Sequence, residues 1–187
     1  MNTFEIIDSP IGGLVLIARN ELLVGLYHEY HSPEPSPVLL GLPFAREQLN
    51  LAEEIPPEGS PAVDREAAAE VYRLTSDWLR AYFDGTVSEP VPYTLLNGTE
   101  FQRRVWKAVA DIPYGETRTY KDIAGALGNE SMGRAVGAAV RANPLSIVIP
   151  GHRVVGAGGA ITGYAAGMAV KRALLELEAA VIAGAAA

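Results

Sequence analysis

The side chains able to carry chemistry are few, and they converge on residues 134–164. A lean segment rich in glycine and alanine leads through Asn143-Pro144 and an apolar run to Pro150-Gly151-His152-Arg153-Val154. A glycine-rich turn and Tyr164 follow. His152 carries the side chain best suited to exchanging a proton near neutral pH. The other histidines, His28 and His31, lie close together in sequence. The chain has no cysteine, and two histidines are too few ligands for a zinc site, so no metal and no other cofactor is expected. The lack of cysteine also excludes disulfides and any thiol nucleophile.

These residues must be positioned by elements that the pattern predicts. Alternating and β-branched residues predict strands at 4–7, 13–18 and 21–27, joined as an antiparallel meander. Seven of the 13 prolines fall between His31 and Pro61, which predicts loop there, with at most a short helix near 44–51. Asp64 caps a predicted helix to Phe83 whose inward stripe is Val71, Leu74, Trp78 and Tyr82. Residues 86–96, with Pro90 and Pro92, read as a linker.

Beyond it, Thr99 with Gln102 and Thr119 with Asp122 form two capping boxes, each opening a helix. The second helix ends at Leu127, with Gly128 as its left-handed stop. Ser131 is placed to cap a third helix through Arg141. Helix, short glycine-containing turn, helix is the helix-turn-helix arrangement. Gly133, Ala135, Gly137, Ala138 and Ala139 leave one side of that third helix very small. Such a surface fits either tight packing or close approach to a duplex groove. Residues 145–149 read as a buried strand. A last helix is expected over 167–180 with Met168, Leu174 and Leu177 inward and a frayed tail after Ile182.

Charge divides the chain. Residues 1–95 hold five Lys/Arg against 15 Asp/Glu, whereas residues 96–187 hold ten against seven. An acidic half joined to one able to meet phosphates is the expectation, with a boundary near residue 92 separating domains 1–92 and 93–187. No apolar run approaches the roughly 20 residues of a membrane span. The acidic start lacks the basic region of a secretory signal, so a cytoplasmic protein without membrane contact is expected.

The second half resembles the O6-alkylguanine-DNA alkyltransferases. The resemblance rests on Tyr120-x-x-Ile-Ala, Arg134-Ala-Val-Gly-x-Ala, Asn143-Pro, Ile149-Pro-x-His-Arg-Val and Gly163-Tyr164, in the family's order and spacing. It covers about 93–178 well and the first half in outline. It implies an α+β fold: a ribonuclease H-like first half, with a small antiparallel sheet and helix, and a helical second half with a winged helix-turn-helix. It implies binding of double-stranded DNA carrying an alkylated guanine, through the minor groove, by a monomer.

The same resemblance implies residue roles. Arg134 would fill the stack after the target base is rotated out, and Tyr120 would promote that rotation. Met132, Gly133, Ala135, Gly137 and Arg141 would complete the DNA-facing helix. Asn143 would brace the hinge. Tyr120, Asn143, Pro150, Val154, Val155, Tyr164 and Ala165 would form the lesion pocket, with Ala165 where the family commonly has serine. Glu178 would orient His152, which through water deprotonates the family's cysteine thiol.

That cysteine falls at residue 151, where this chain has Gly151. Alkyl transfer to residue 151 is therefore impossible, which argues against the family's enzymatic reaction. One reading is a damage sensor that flips O6-alkylguanine into an open pocket and marks it for other repair, nucleotide excision repair proteins included. A second is a hydrolytic dealkylase or glycosylase using water activated by His152 and Glu178. A third is an introduced Cys-to-Gly replacement in an ordinary alkyltransferase.

Overall fold

The protein is described here by a computed structural model that covers residues 1–44, 64–86 and 88–185. The meander forms as expected. Strands β1 (Thr3–Ile7), β2 (Leu14–Arg19) and β3 (Leu22–His28) pair antiparallel in sequence order. Asn20 adopts φ 54° in the tight turn between β2 and β3, a conformation asparagine tolerates well. The first sheet is not purely antiparallel, however. After a four-residue helix α1 (Pro37–Leu40), capped by Ser36, a two-residue strand β4 (Leu42–Pro43) pairs parallel to β1. Proline at a strand edge leaves no ladder bond unmade, which is how a proline-rich segment came to supply a strand. Beyond Phe44, the short helix expected near 44–51 lies outside the described residues.

Helix α2 (Arg65–Phe83) starts where Asp64 accepts a hydrogen bond from the N–H of Ala67. Its buried face comprises Ala68, Val71, Tyr72, Thr75, Leu79 and Tyr82. Leu74, expected inward, is exposed, because the stripe runs through Tyr72 and Thr75 instead. Tyr72 Oη lies 2.7 Å from Thr3 Oγ1 and locks the helix onto β1.

Both expected capping boxes are present. Helix α3 (Glu100–Ala110) follows Thr99, and helix α4 (Tyr120–Ala126) follows Thr119. The two-residue strand β5 (Arg118–Thr119) precedes α4, and Gly128 beyond it takes φ 98°. The cap of the third helix differs from expectation. Ser131 does not cap it, and α5 has no side-chain cap; Asn129 instead caps the turn ahead of it, accepting from both the N–H and the hydroxyl of Ser131. A 3₁₀ turn (Glu130–Met132) then leads into α5 (Gly133–Arg141). The Trp106 indole donates to the carbonyl of Ala139 at 2.7 Å and ties α3 to α5.

Residues 145–149 are not a strand. Leu145 forms one bridge to Leu26, and the chain then turns tightly, with Ile149 N–H donating to Leu145 at 2.8 Å and Ile147 at φ 69°. A β-branched residue in that region is a true outlier, held by its surroundings. A 3₁₀ turn (Gly151–Arg153) follows, then β6 (Val154–Val155), which pairs parallel to β5. Helix α6 (Met168–Ala185) closes the described chain and continues through the tail expected to fray. It buries Lys171, Leu174 and Glu178, while Met168, expected inward, is exposed.

The outer edge of β3 holds the two halves together. Leu23 exchanges backbone hydrogen bonds with Pro92 and Thr94, and Leu26 does so with Pro144 and Ser146. One apolar core runs from β2 and α2 through α3, α4 and α5 to Leu174 of α6.

Candidate lesion-binding site

The polar centre of the molecule is a carboxylate with every lobe engaged. Glu178, on the buried face of α6, accepts from His152 Nε2 at 2.8 Å, from the Tyr82 hydroxyl at 2.7 Å and from the N–H of Gly115 at 2.9 Å. Arg153 completes it with Nε and Nη2, each at 2.9 Å from one carboxylate oxygen. The Arg153 Nη1 also donates to Ile112 at 2.7 Å. His152 and Glu178 are 0% and 1% exposed.

The electrostatics assign the protonation states. Burial alone would raise the Glu178 pKa, but the bonds from His152, Arg153 and Tyr82 outweigh it and bring it to about 2. Burial lowers the His152 pKa, against an opposing pull from Glu178. The centre thus holds an ionised Glu178 paired with Arg153, beside a neutral imidazole. A neutral His152 facing a carboxylate donates from Nε2, which leaves the lone pair on Nδ1. That Nδ1 is buried and has no hydrogen-bond partner among the described residues. A base of this kind can accept one proton from a group placed beside it.

Sequence reasoning named His152 and Glu178 but passed over Arg153, Tyr82 and Gly115. Arg153 lies inside the Ile149-Pro-x-His-Arg-Val motif, so its signal is local. The contact of Tyr82 with a residue 96 positions away is not.

Gly151 lies in the turn that leads into this centre and is buried. Its backbone is outside the left-handed region, so its conformation does not demand glycine. A Cβ placed there would sit 3.3 Å from Val140 Cγ1 and 3.7 Å from the Asn143 amide nitrogen. Asn143 also holds the preceding turn. Its amide donates to Ile149 at 2.8 Å, and its oxygen accepts from the N–H of Leu145 at 3.0 Å. One side chain thereby fixes the path of residues 145–149.

The expected DNA-facing residues lie along a groove of about 990 Å³, bordered by Tyr120, Gly133, Arg134, Gly137, Arg141 and Gly163. Arg134 and Ala135 point to solvent, and Met132 is half-buried against the core. Tyr120 donates to the carbonyls of Thr162 and Gly163 at 3.1 and 3.2 Å. A Cβ on Gly137 would touch its ring at 3.7 Å. Arg141 reaches across to the carbonyl of Ser32 at 3.4 Å.

The other expected pocket residues do not border this groove. Gly151, Val154, Val155, Tyr164 and Ala165 are all buried, as is Pro150, which borders a separate cleft with Tyr82 and Arg153, so among the described residues the open pocket expected at Gly151 is not formed. The reason is packing from the first half and from β5. Ala165 accepts from the N–H of Ser32 at 2.9 Å, and β6 is paired to β5.

Lys171 stands between groove and pocket, and sequence patterning missed it. It is 0% exposed and donates to the carbonyls of Val154 and Thr162, with its charge 5.7 Å from the Tyr120 ring centre. Burial lowers its pKa from 10.5 to about 8. Of the histidines weighed as zinc ligands, His28 contacts Tyr164 and His31 bonds the carbonyl of Pro33.

Comparison with known proteins gives a consistent outcome. Residues 100–180 match the model of the 6-O-methylguanine DNA methyltransferase DNA-binding domain. The methylated-DNA–protein-cysteine methyltransferase of Mycobacterium tuberculosis is 41% identical over 175 residues, covering 94% of this chain and 91% of that one. The protein of the same name from Methanosarcina barkeri is also 41% identical, over 94% of this chain and 96% of its own. The crystal structure of M. tuberculosis OGT in complex with DNA superposes with a TM-score of 0.77 at 39% identity, covering 96% of this chain and 94% of that one. Among the described residues, no helix is long and apolar enough to cross a membrane.

Proposed function

The chain belongs to the O6-methylguanine-DNA methyltransferase family, and from that premise we propose that it binds double-stranded DNA carrying O6-alkylguanine and holds the flipped base without taking the alkyl group. The observation that carries this reading is Gly151. The chain has no cysteine anywhere, while the backbone at residue 151 does not require glycine and a Cβ there would press closely only on the end of Val140, at 3.3 Å. An alkyl acceptor is missing from a setting that does not forbid one.

The remaining parts serve recognition. The α4–turn–α5 pair acts as a winged helix-turn-helix, with β5 and β6 as its wing, and presents α5 to the minor groove. Small residues there allow the duplex to approach closely. Exposed Arg134 fills the gap left by the rotated nucleotide, and Tyr120 helps turn it out. The lesion enters between Tyr164 and β6 by displacing the packing that closes this pocket in the free protein. Residues 1–92 form a ribonuclease H-like scaffold domain, and residues 93–187 the DNA-binding domain. The complex marks the lesion for repair by other proteins, nucleotide excision repair among them.

A second reading is favoured by one feature, the unpartnered Nδ1 of neutral His152. Water beside Gly151 could lose a proton to Nδ1 while its oxygen attacks the alkyl carbon. The bond to O6 would break, its electron pair would stay with the guanine, and a proton at N1 would restore the base. The product would be an alcohol.

One experiment separates the readings. A duplex with a single O6-methylguanine is incubated with excess protein, and nucleosides and intact protein are weighed by mass spectrometry. A bound, unchanged lesion supports the sensor. Restored guanine with unmodified protein supports hydrolysis, and loss of both lesion binding and turnover defeats both.

A further inference from the structure

The wall tyrosine of the pocket is held from the first half of the chain. His28, the last residue of β3, places Nε2 3.1 Å from the hydroxyl of Tyr164. The two rings meet edge to face, with centroids 5.5 Å apart. They are 4% and 9% exposed. The next residue, Ala165, is fixed by the same segment through the N–H of Ser32 at 2.9 Å. The end of β3 and its turn therefore grip residues 164 and 165 from behind.

A buried hydroxyl without a partner is costly, and it would turn toward any polar atom that entered the pocket. His28, together with the Ser146 side chain, satisfies the Tyr164 hydroxyl inside the protein and leaves the ring as an apolar face. Burial lowers the His28 pKa from 6.5 to about 4, so at neutral pH the contact is between two uncharged groups. The position of Ala165 sharpens the point. With no side-chain hydroxyl at residue 165, selection of the base depends more heavily on how the neighbouring aromatic ring is set.

We propose that His28 is a positioning residue for lesion recognition, fixing the Tyr164 hydroxyl so that the aromatic wall admits a flipped O6-alkylated purine in preference to an ordinary base. This rests on the reading of Tyr164 as the wall of the base pocket. It also gives the first half of the chain a share in specificity.

The test is a double-mutant cycle on the full chain. Dissociation constants are measured for matched duplexes with and without one O6-methylguanine, using wild type, His28→Phe, His28→Gln, Tyr164→Phe and the His28→Phe/Tyr164→Phe double variant. Thermal melts report folding in parallel. The preference for lesion over undamaged duplex should fall about five-fold in His28→Phe, the worth of one hydrogen bond of about 1 kcal/mol. Tyr164→Phe removes the same bond from the other end, together with the contact to Ser146, and should lose at least as large a factor. The double variant should be no worse than Tyr164→Phe alone. His28→Gln, which keeps a polar nitrogen in reach, should recover most of the preference.

An unchanged preference in folded His28→Phe, independent losses that multiply in the double variant, or failure of Gln to restore would overturn the assignment. A wild-type protein with no lesion preference at all would instead defeat the base-flipping reading, and this inference with it.

Discussion

Arg153 meets Glu178 side-on, with Nε 2.9 Å from Oε2 and Nη2 2.9 Å from Oε1. The fork-to-fork geometry gives the buried carboxylate its counter-charge, so His152 has no need to be protonated. The guanidinium also lies 5.4 Å from the Tyr114 ring centre, an aromatic face suited to a delocalised cation. The imidazole is thereby kept as a base even though residue 151 offers it no thiol.

Removing the guanidinium should be expensive. Arg153→Leu would strand an ionised carboxylate among buried groups, at a cost of about 3–5 kcal/mol. Urea unfolding at pH 7 checks this, and a loss below about 1 kcal/mol would show that Glu178 does not depend on Arg153. Arg153→Lys should recover only part of the loss, because an ammonium cannot occupy both carboxylate oxygens in one plane.

Stability should decline with acid in two stages. Burial lowers His28 from 6.5 to about 4, so between those values the unfolded chain binds a proton that the folded chain refuses. The stability linked to His28 is complete above pH 6.5 and is lost as pH falls to 4. Glu178 is held at about 2 against an ordinary 4.5, so its share is present above pH 4.5 and is lost toward pH 2. Urea midpoints should drop between pH 7 and 4.5, and His28→Gln should lessen the slope without removing it, because burial also lowers the pKa values of His31 and His152. A wild-type profile level from pH 7 to 4.5 would contradict the assignment.

Gly151→Cys should fold. The nearest atom to the new Cβ is Val140 Cγ1 at 3.3 Å, the end of a short side chain, and the backbone carries no left-handed strain. A cost of about 1 kcal/mol is expected. With the His152–Glu178 pair intact, the variant should take one methyl group per molecule from O6-methylguanine DNA. Intact-mass analysis reads this as a single 14 Da gain, roughly one CH₂. A folded variant that binds lesion DNA and gains no mass would mean the relay cannot activate a thiol here.

Arg134 is exposed, so its loss should spare the fold. Arg134→Ala should weaken binding to lesion duplex by about ten-fold with an unchanged melting temperature, since one intercalated cation is worth on the order of 1–2 kcal/mol. Equal binding by variant and wild type would remove Arg134 from the flipping step.

Local chemistry made much of this fold legible in the sequence. Thr99, Thr119 and Asp64 announce helices α3, α4 and α2 because a cap is settled within four residues. The three long strands followed from alternation. Residues 145–149 form a turn, although a short apolar run suits a strand equally well. The choice was made by Asn143 and by the edge of β3, neither of which the run itself records. A lysine carries no local signal for burial, yet two backbone carbonyls and the Tyr120 face hold Lys171 inside. His28 offers a metal ligand by its type, whereas its partner is a tyrosine 136 residues away. Long-range contacts decide such residues, and local pattern cannot see them.

The outer edge of β3 has a further consequence. Leu23 and Leu26 lend their free backbone groups to residues 92–94 and 144–146 in turn, so one strand serves as a common template for the linker and for the turn ahead of Gly151. A chain cut near residue 92 would leave that turn without its template and uncover a sheet edge prone to pairing with other chains. The two halves should therefore melt in a single cooperative step, and the first-half fragment, left with the bare edge of β3, would be the one prone to self-association.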